Sequence, residues 1–149
     1  MKIIYQTSAG GIVFKKENNK TLWLVVQHSG HKGWVFPKGL VGDKVKNEPM
    51  RDAALREVEE EGGVKAKIVS KEPVKTFYQY RYQNELIKKS VFYFLMEYFS
   101  GNPKDHDWEV LEAKFIPTEK VRKTLTYPSD KQAFEKILQI YYQLHPKSQ

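Results

Sequence analysis

The order of the predicted elements indicates an α+β protein or an α/β/α sandwich, built in either case around a central mixed β-sheet. Three observations carry this prediction: β-prone segments dominate the first forty residues or so, a short amphipathic helix follows, and further strands precede two helical segments near the C-terminal end. The chain has 149 residues, which is the length of one ordinary domain. We therefore expect a single domain over residues 1–149.

The first half of the chain predicts a hairpin, a short strand and one helix. Residues 12–15 and 21–27 are β-prone and are separated by a polar turn. Residues 34–36 form another short strand, which Pro37 ends, and a glycine-bearing loop follows. From Pro49 the apolar spacing becomes helical, and Gly62 and Gly63 supply the stop after about three turns.

The second half predicts a group of strands and then two helices. Residues 64–69, 74–82 and 91–99 have the alternation of strands, and residues 112–116 are a candidate for the last one. Residues 118–125 and 129–144 follow as helices. Ser129 is the expected N-cap of the second helix.

The composition limits the classes of function. The chain has no cysteine, which excludes disulfides, thiolate metal sites and a cysteine nucleophile. The formal net charge of +7 favours anionic partners such as phosphorylated small molecules or nucleic acid. No apolar window is long enough to cross a bilayer, and the first residues do not resemble a signal peptide. We therefore expect a soluble, cytoplasmic protein without a membrane partner.

An acidic helix stands out in this basic protein. Glu57, Glu59, Glu60 and Glu61 crowd its last turns, where the helix dipole and neighbouring like charges both disfavour negative charge. Such a run in an arbitrary sequence is usually a solvated helix face. However, the i, i+3 and i+4 spacing places Glu57, Glu60 and Glu61 on one face, where carboxylates can bind a hard cation. Magnesium fits best, with manganese as an alternative.

The residues around these glutamates match the pattern G-x5-E-x7-R-E-U-x-E-E-x-G-U, in which U is aliphatic. This pattern resembles the signature sequence of the Nudix hydrolases. The matching positions are Gly42, Glu48, Arg56, Glu57, Val58, Glu60, Glu61, Gly63 and Val64.

The resemblance implies a Nudix fold and hydrolysis of a nucleotide pyrophosphate linkage. It makes Glu57, Glu60 and Glu61 metal ligands and makes Glu60 or Glu61 the base that activates water. Arg56 is then a counter-ion that orients a glutamate. Glu48 is expected to support the structure of this segment.

Two glycines compete for the first position of the pattern. Gly42 has the regular spacing, whereas Gly39 follows Pro37 and Lys38 in a segment that is similar to the strand preceding the signature in many family members. We favour Gly39 with an insertion in the loop. On that alternative, the backbone carbonyl of Lys38 or Gly39 completes the metal shell.

Segments outside the signature resemble the diadenosine tetraphosphate hydrolases that cleave asymmetrically, to ATP and AMP. These segments are residues 88–93, 108–113 and 125–127. The resemblance implies one more acidic metal ligand, for which Glu109 is the first choice and Glu112 the second. Lys38 and Lys89 are candidates to bind phosphates, because a long polyphosphate carries a large negative charge. The candidates to stack on adenine are Tyr80, Tyr82, Tyr93 and Tyr127.

Other functions stay open at this point. Pyrophosphate removal from RNA 5′ ends and hydrolysis of an oxidised nucleoside triphosphate would use the same metal site. The basic aromatic segment 77–83 and the net charge also suggest a nucleotide- or nucleic-acid-binding module without catalysis. The four histidines are expected to be ordinary surface or loop residues.

Overall fold

The computed structural model describes residues 1–148 and has the predicted layers. Its strands form one mixed sheet with the order β3-β2-β1-β7-β5, to which β4, β6 and β8 add by pairing with β1, β7 and β2. The strands are β1 Lys2–Glu17, β2 Lys20–His28, β3 Trp34–Val35, β4 Lys38–Leu40, β5 Val64–Ile68, β6 Val74–Tyr82, β7 Glu85–Gly101 and β8 Val110–Pro117. The α-helices are α1 Met50–Gly62, α2 Thr118–Thr124 and α3 Pro128–Leu144. Short 3-10 helices span Pro103–Asp105 and Pro146–Ser148.

The two longest strands, β1 and β7, pair in parallel at the centre of the sheet. The register of this pair runs from Lys2 opposite Glu85 to Phe14 opposite Glu97. Both strands are longer than the sequence predicts, since residues 12–15 and 91–99 cover only part of them. The outer part of β1 is largely exposed and that of β7 is mostly half-buried, and both mix polar with apolar residues, so they lack the pattern of a buried strand.

Helices cover both faces of the sheet. Helix α1 buries Ala53, Ala54 and Val58 against one face, while α3 packs Phe134 and Ile137 against the other, beside α2. This arrangement confirms the α/β/α sandwich. Within residues 1–148, none of the helices has the length and apolar character needed to cross a membrane.

Two local predictions are wrong. Helix α3 begins at Pro128 and its N-cap is Tyr127, with no side-chain capping bond; Ser129 therefore lies inside the first turn. Proline suits that first position because its fixed φ matches the helix and its missing N–H is not needed there. The predicted loop after Pro37 also contains β4, which pairs with the centre of β1.

Candidate active site

The acidic end of α1 is partly turned into the protein. Glu57 and Glu61 are only 5% and 6% exposed, because their i, i+4 spacing follows the same face as Ala53 and Ala54. The helix ends at Gly63, which has φ 73° and donates its N–H to the carbonyl of Glu59. A Cβ at Gly63 would stand 2.5 Å from the carbonyl oxygen of Asn102, so glycine also permits close packing against the following loop.

Arg56 connects three of the acids. Its Nε and Nη2 bind both carboxylate oxygens of Glu48, each at 2.9 Å. Its Nη1 donates to Glu57 Oε2 at 2.9 Å and to Glu60 Oε2 at 3.1 Å. The charge and hydrogen bonds of Arg56 hold the pKa of Glu48 below its usual value. Arg56 is thus the shared hydrogen-bonding partner of Glu48, Glu57 and Glu60.

The chain around β4 packs against the two buried glutamates. The backbone N–H of Lys38 donates to Glu61 Oε1 at 3.1 Å. A Cβ on Gly39 would stand 2.1 Å from Glu57 Oε2, so only glycine allows this approach. Gly42 has φ 78° and open space around it, which suits a turn. Gly39, rather than Gly42, is therefore the glycine in contact with the glutamates.

Burial perturbs both inward-facing carboxylates. Loss of solvent raises the pKa of Glu61 to about 8, and the charges of Glu57 and Glu109 act in the same direction. Burial also raises the pKa of Glu57, although Arg56 opposes this. The charges of Arg56 and Lys44 at Glu57, and of Lys38 at Glu61, oppose these shifts without reversing them, so a further cation would favour the ionised carboxylates. This donor set fits a hard divalent cation.

Glu60 has a different environment from its two neighbours. Its side chain is 29% exposed and binds Lys44 Nζ at 2.8 Å as well as Arg56. Across residues 1–148, no group of three or more His, Cys, Asp or Glu side chains has the arrangement to hold a metal ion. Glu57 and Glu61 thus face inward, whereas Glu60 is more exposed and has two cationic partners.

Glu109 lies on a segment that is tied to the end of α1. The N–H of Asp107 donates to the carbonyl of Glu60 at 2.8 Å, and the N–H of Glu109 donates to Asp107 Oδ1 at 3.0 Å. The charge of Glu109 contributes to the raised pKa of Glu61. Glu112 instead lies exposed on β8, and its Oε2 is 3.9 Å from Lys114 Nζ. Of the two candidate acids, Glu109 is the one near the buried glutamates.

Two lysines, Lys38 and Lys89, lie near Glu61. Burial and the positive charge of Lys38 lower the pKa of Lys89 to about 8, while Glu61 opposes this shift. Lys89 is partly buried on β7, and Lys38 is the first residue of β4. Two ammonium groups held near each other disfavour their own charge. This arrangement suits an anionic ligand.

The structure separates the four predicted tyrosines. Tyr80, Tyr82 and Tyr127 have exposed rings. Tyr93 is fully buried and donates its hydroxyl to Asp130 Oδ1 at 2.8 Å. This corrects the prediction that Tyr93 contacts the substrate, because a fully buried ring offers no face to a base.

Sequence reasoning missed three aromatic residues beside these lysines and tyrosines. His28 and His31 stack with ring centroids 4.3 Å apart, and His31 Nδ1 is 3.0 Å from the hydroxyl of Tyr127. Tyr78 stacks on Tyr80 at 6.1 Å. Burial and the charge of Lys38 lower the pKa of both histidines. Tyr78 could have been predicted, because tyrosines at the alternate positions 78, 80 and 82 point to one face of a strand. Nothing local in the sequence connects the histidines to Tyr127.

Replacing Arg56 with lysine tests its structural role. We expect Arg56→Lys to lower the free energy of unfolding by about 1–3 kcal/mol, because an ammonium group cannot reproduce the bidentate bond to Glu48 while binding Glu57 and Glu60. The matched control is Arg122→Lys, which alters an exposed pair with Glu135 and should change stability by less than about 0.5 kcal/mol. Urea denaturation measures both values, and equal effects would contradict the role given to Arg56.

Curated relatives of the chain are longer proteins. The chain is 26% identical over 141 residues to a protein of Mycobacterium tuberculosis named as mutator protein MutT4, covering 91% of this chain and 55% of that protein. It is 33% identical over 120 residues to Nudix hydrolase 6 of Arabidopsis thaliana, covering 77% of this chain and 40% of that protein. The chain thus spans about half the length of these relatives.

Solved structures share the fold over nearly the whole chain. A crystal structure of the C. elegans Ap4A hydrolase matches with a TM-score of 0.71 and 24% identity, covering 93% of this chain and 99% of that one. A binary complex of a C. elegans Ap4A hydrolase matches with a TM-score of 0.66 and 25% identity, covering 91% and 97%. These matches agree with the observed order of strands and helices.

The family assignment rests on the match to a whole domain. The family model described as NUDIX domain matches residues 4–137. This range includes α1 with its glutamates, Arg56, both candidate lysines and most of the sheet. The chain therefore belongs to the Nudix hydrolase family.

Proposed function

We propose that this chain hydrolyses a pyrophosphate linkage in a nucleotide with the help of a divalent cation, and that its substrate is diadenosine tetraphosphate, cleaved to ATP and AMP. The observation that carries the proposal is the buried pair Glu57 and Glu61 beneath the Lys38–Gly39 backbone, with Lys38 and Lys89 alongside. Carboxylates for a metal and ammonium groups for phosphates thus lie in one place.

Glu57 and Glu61 would hold the cation, which we propose to be magnesium, with manganese as an alternative. Glu60 would join them by exchanging Lys44 for the metal, and Glu109 and the backbone carbonyl of Gly39 would be further ligands. A bound ion of this kind neutralises charge on phosphate oxygens and lowers the pKa of an attacking water. The raised pKa values of Glu57 and Glu61 support this assignment, since a cation would stabilise their charged forms.

The remaining roles follow from the contacts of each residue. Arg56 holds Glu57 and Glu60 by hydrogen bonds to one oxygen of each, which fixes their orientation for the reaction. Of the two candidate bases, Glu61 is buried and its Oε1 accepts the backbone N–H of Lys38, with no cationic side chain bonded to it among residues 1–148. Glu60 is engaged by two cationic side chains. We therefore propose Glu61 as the base and Arg56 as a positioning residue.

A dinucleoside polyphosphate matches the groups around the glutamates. Lys38 and Lys89 would bind the phosphate chain, and the exposed rings of Tyr80 and Tyr127 would stack on adenine, a contact worth about 1–3 kcal/mol per base. Tyr82 lies beyond Tyr80, near the end of the β6–β7 hairpin, and would contact the more distant nucleoside. The likeness to the C. elegans Ap4A hydrolase complex supports this choice of substrate.

A product assay tests the substrate. Incubated with magnesium, diadenosine tetraphosphate should give ATP and AMP in equal amounts, separated by anion-exchange chromatography. The panel also includes RNA with a 5′ triphosphate and oxidised nucleoside triphosphates, because these alternatives would use the same metal site. Rapid cleavage of another panel member without cleavage of diadenosine tetraphosphate would sink the substrate assignment, and formation of two ADP would contradict asymmetric cleavage.

A pair of glutamate variants tests the site itself. Glu61→Gln keeps the size of the side chain and removes its charge and basicity, so kcat on the best substrate should fall by a factor of about 100 to 10,000. The matched control is Glu59→Gln, on the exposed side of the same helix turn, which should keep kcat within about twofold. Undiminished metal-dependent turnover by Glu61→Gln would show that the proposed mechanism is wrong.

Lys89 predicts a pH dependence. Its pKa is lowered to about 8, so the protonated form that binds phosphate is present below pH 8 and is lost as the pH rises through that value. At saturating magnesium, kcat/KM should therefore fall above a pH of about 8. Lys89→Arg stays charged and should remove this fall. Lys88→Arg, on the opposite face of β7, is the control; a Lys89→Arg profile with the fall unchanged would contradict the role.

A further inference from the structure

The sheet extends beyond α1 and leaves part of one face open. In this region β1, β7 and β6 lie side by side, and the register places Tyr5, Lys88 and Gln79 in one row and Thr7, Ser90 and Phe77 in the next. Paired residues point to the same face, so this is the face on which α1 packs further along the strands. We call it the open face and define it by Tyr5, Lys75, Phe77, Arg81, Lys88 and Phe92.

Two aromatic rings on the open face are exposed, and lysine side chains lie over Tyr5 and over the half-buried ring of Phe92. The side chain of Tyr5 is 76% exposed and that of Phe77 is 53% exposed. Lys88 Nζ lies 6.0 Å from the ring centroid of Tyr5, and Lys75 Nζ lies 5.7 Å from that of Phe92. Exposed rings grouped on one surface mark a site of interaction more often than isolated ones.

The charge of the open face has one sign. Lys75, Arg81 and Lys88 contribute three cations. Over residues 2–7, 75–82 and 85–92 of the three strands, Glu85 is the sole acid. It pairs in register with Lys2 and Tyr82 and so points to the opposite face. The strands therefore present cations and rings without a compensating carboxylate, which favours an anionic partner.

We propose that the open face binds single-stranded nucleic acid. Its bases would stack on Tyr5 and Phe77, the two exposed rings, which lie on β1 and β6 on either side of β7 and in neighbouring rows of the open face. Its phosphates would contact Lys75, Arg81 and Lys88. Alternating rings and cations on a sheet match the two components of such a ligand, because every base has a face for stacking and every linkage carries one charge.

A second copy of this chain fits the open face less well. A twofold contact would bring the same patch of both copies together, and the three cations of one copy would then face those of the other. The open face is also separate from the residues proposed to bind the nucleotide, since Tyr78, Tyr80 and Lys89 point to the opposite side of β6 and β7. This inference therefore goes beyond the proposed hydrolysis and does not depend on it.

Fluorescence anisotropy with a labelled single-stranded oligouridine of twelve nucleotides and a 5′-hydroxyl tests the proposal on the full chain. Arg81→Glu with Lys88→Glu should weaken binding at least tenfold and reduce the slope of log K against log salt by about 1.4, since each phosphate contact contributes about 0.7. Tyr5→Ala with Phe77→Ala should weaken binding about tenfold or more without changing that slope, and Tyr5→Phe should bind like the parent protein.

The control double variant is Lys120→Glu with Lys131→Glu, which makes the same change in net charge on exposed positions of α2 and α3 and should bind RNA within about threefold of the parent. Glu61→Gln should keep RNA affinity, which separates failure of this proposal from failure of the proposed hydrolysis. An equal loss of RNA affinity in the control variant would overturn the proposal, and so would an unchanged affinity in the open-face variants. The proposal would also be overturned if the open-face substitutions dissociated a dimer seen by light scattering for the parent protein, or if they abolished binding to anionic vesicles and left RNA binding intact.

Discussion

The ion-pair network centred on Arg56 is the constraint on which the rest of the site depends. Helix α1 ends in a run of glutamates that repel one another and interact unfavourably with the negative end of the helix dipole. The Arg56 guanidinium binds both oxygens of Glu48 through Nε and Nη2, and its Nη1 amino group donates to both Glu57 and Glu60. These bonds fix the glutamates relative to the helix and turn an unfavourable charge distribution into a defined arrangement of oxygens.

The network leaves Glu61 without an equivalent partner, and this has an energetic consequence. Glu61 is buried, and its carboxylate accepts only the backbone N–H of Lys38, which β4 holds in place by pairing with β1. With a pKa raised to about 8, the charged form is disfavoured at neutral pH in the folded protein. The fold thus loses stability from this group as the pH rises toward 8, and a cation at the site would offset that loss.

Local signals in the sequence were sufficient to predict α1 and the shared face of its glutamates. The features of this helix involve residues within about sixteen positions of one another. They are the end of the helix at Gly63, the contact of Arg56 with Glu48, and the burial of Glu57 with Glu61. Other features depend on residues that are far apart in the chain. They are the full length of β1 and β7, the burial of Tyr93 and the cluster of His31 with Tyr127. Only tertiary pairing determines these features, so no local pattern could reveal them.

The segment 77–83 shows how the fold changes the interpretation of a sequence pattern. In the sequence it is one basic aromatic run, and it suggested a binding module as an alternative to an enzyme. In the sheet, strand alternation divides the run: Tyr78 and Tyr80 point toward Lys89 and the proposed active site, whereas Phe77 and Arg81 point to the open face. Because the two sets of side chains lie on opposite faces, a ligand on one leaves the other accessible. The proposed hydrolysis and the proposed nucleic-acid binding are therefore compatible with each other.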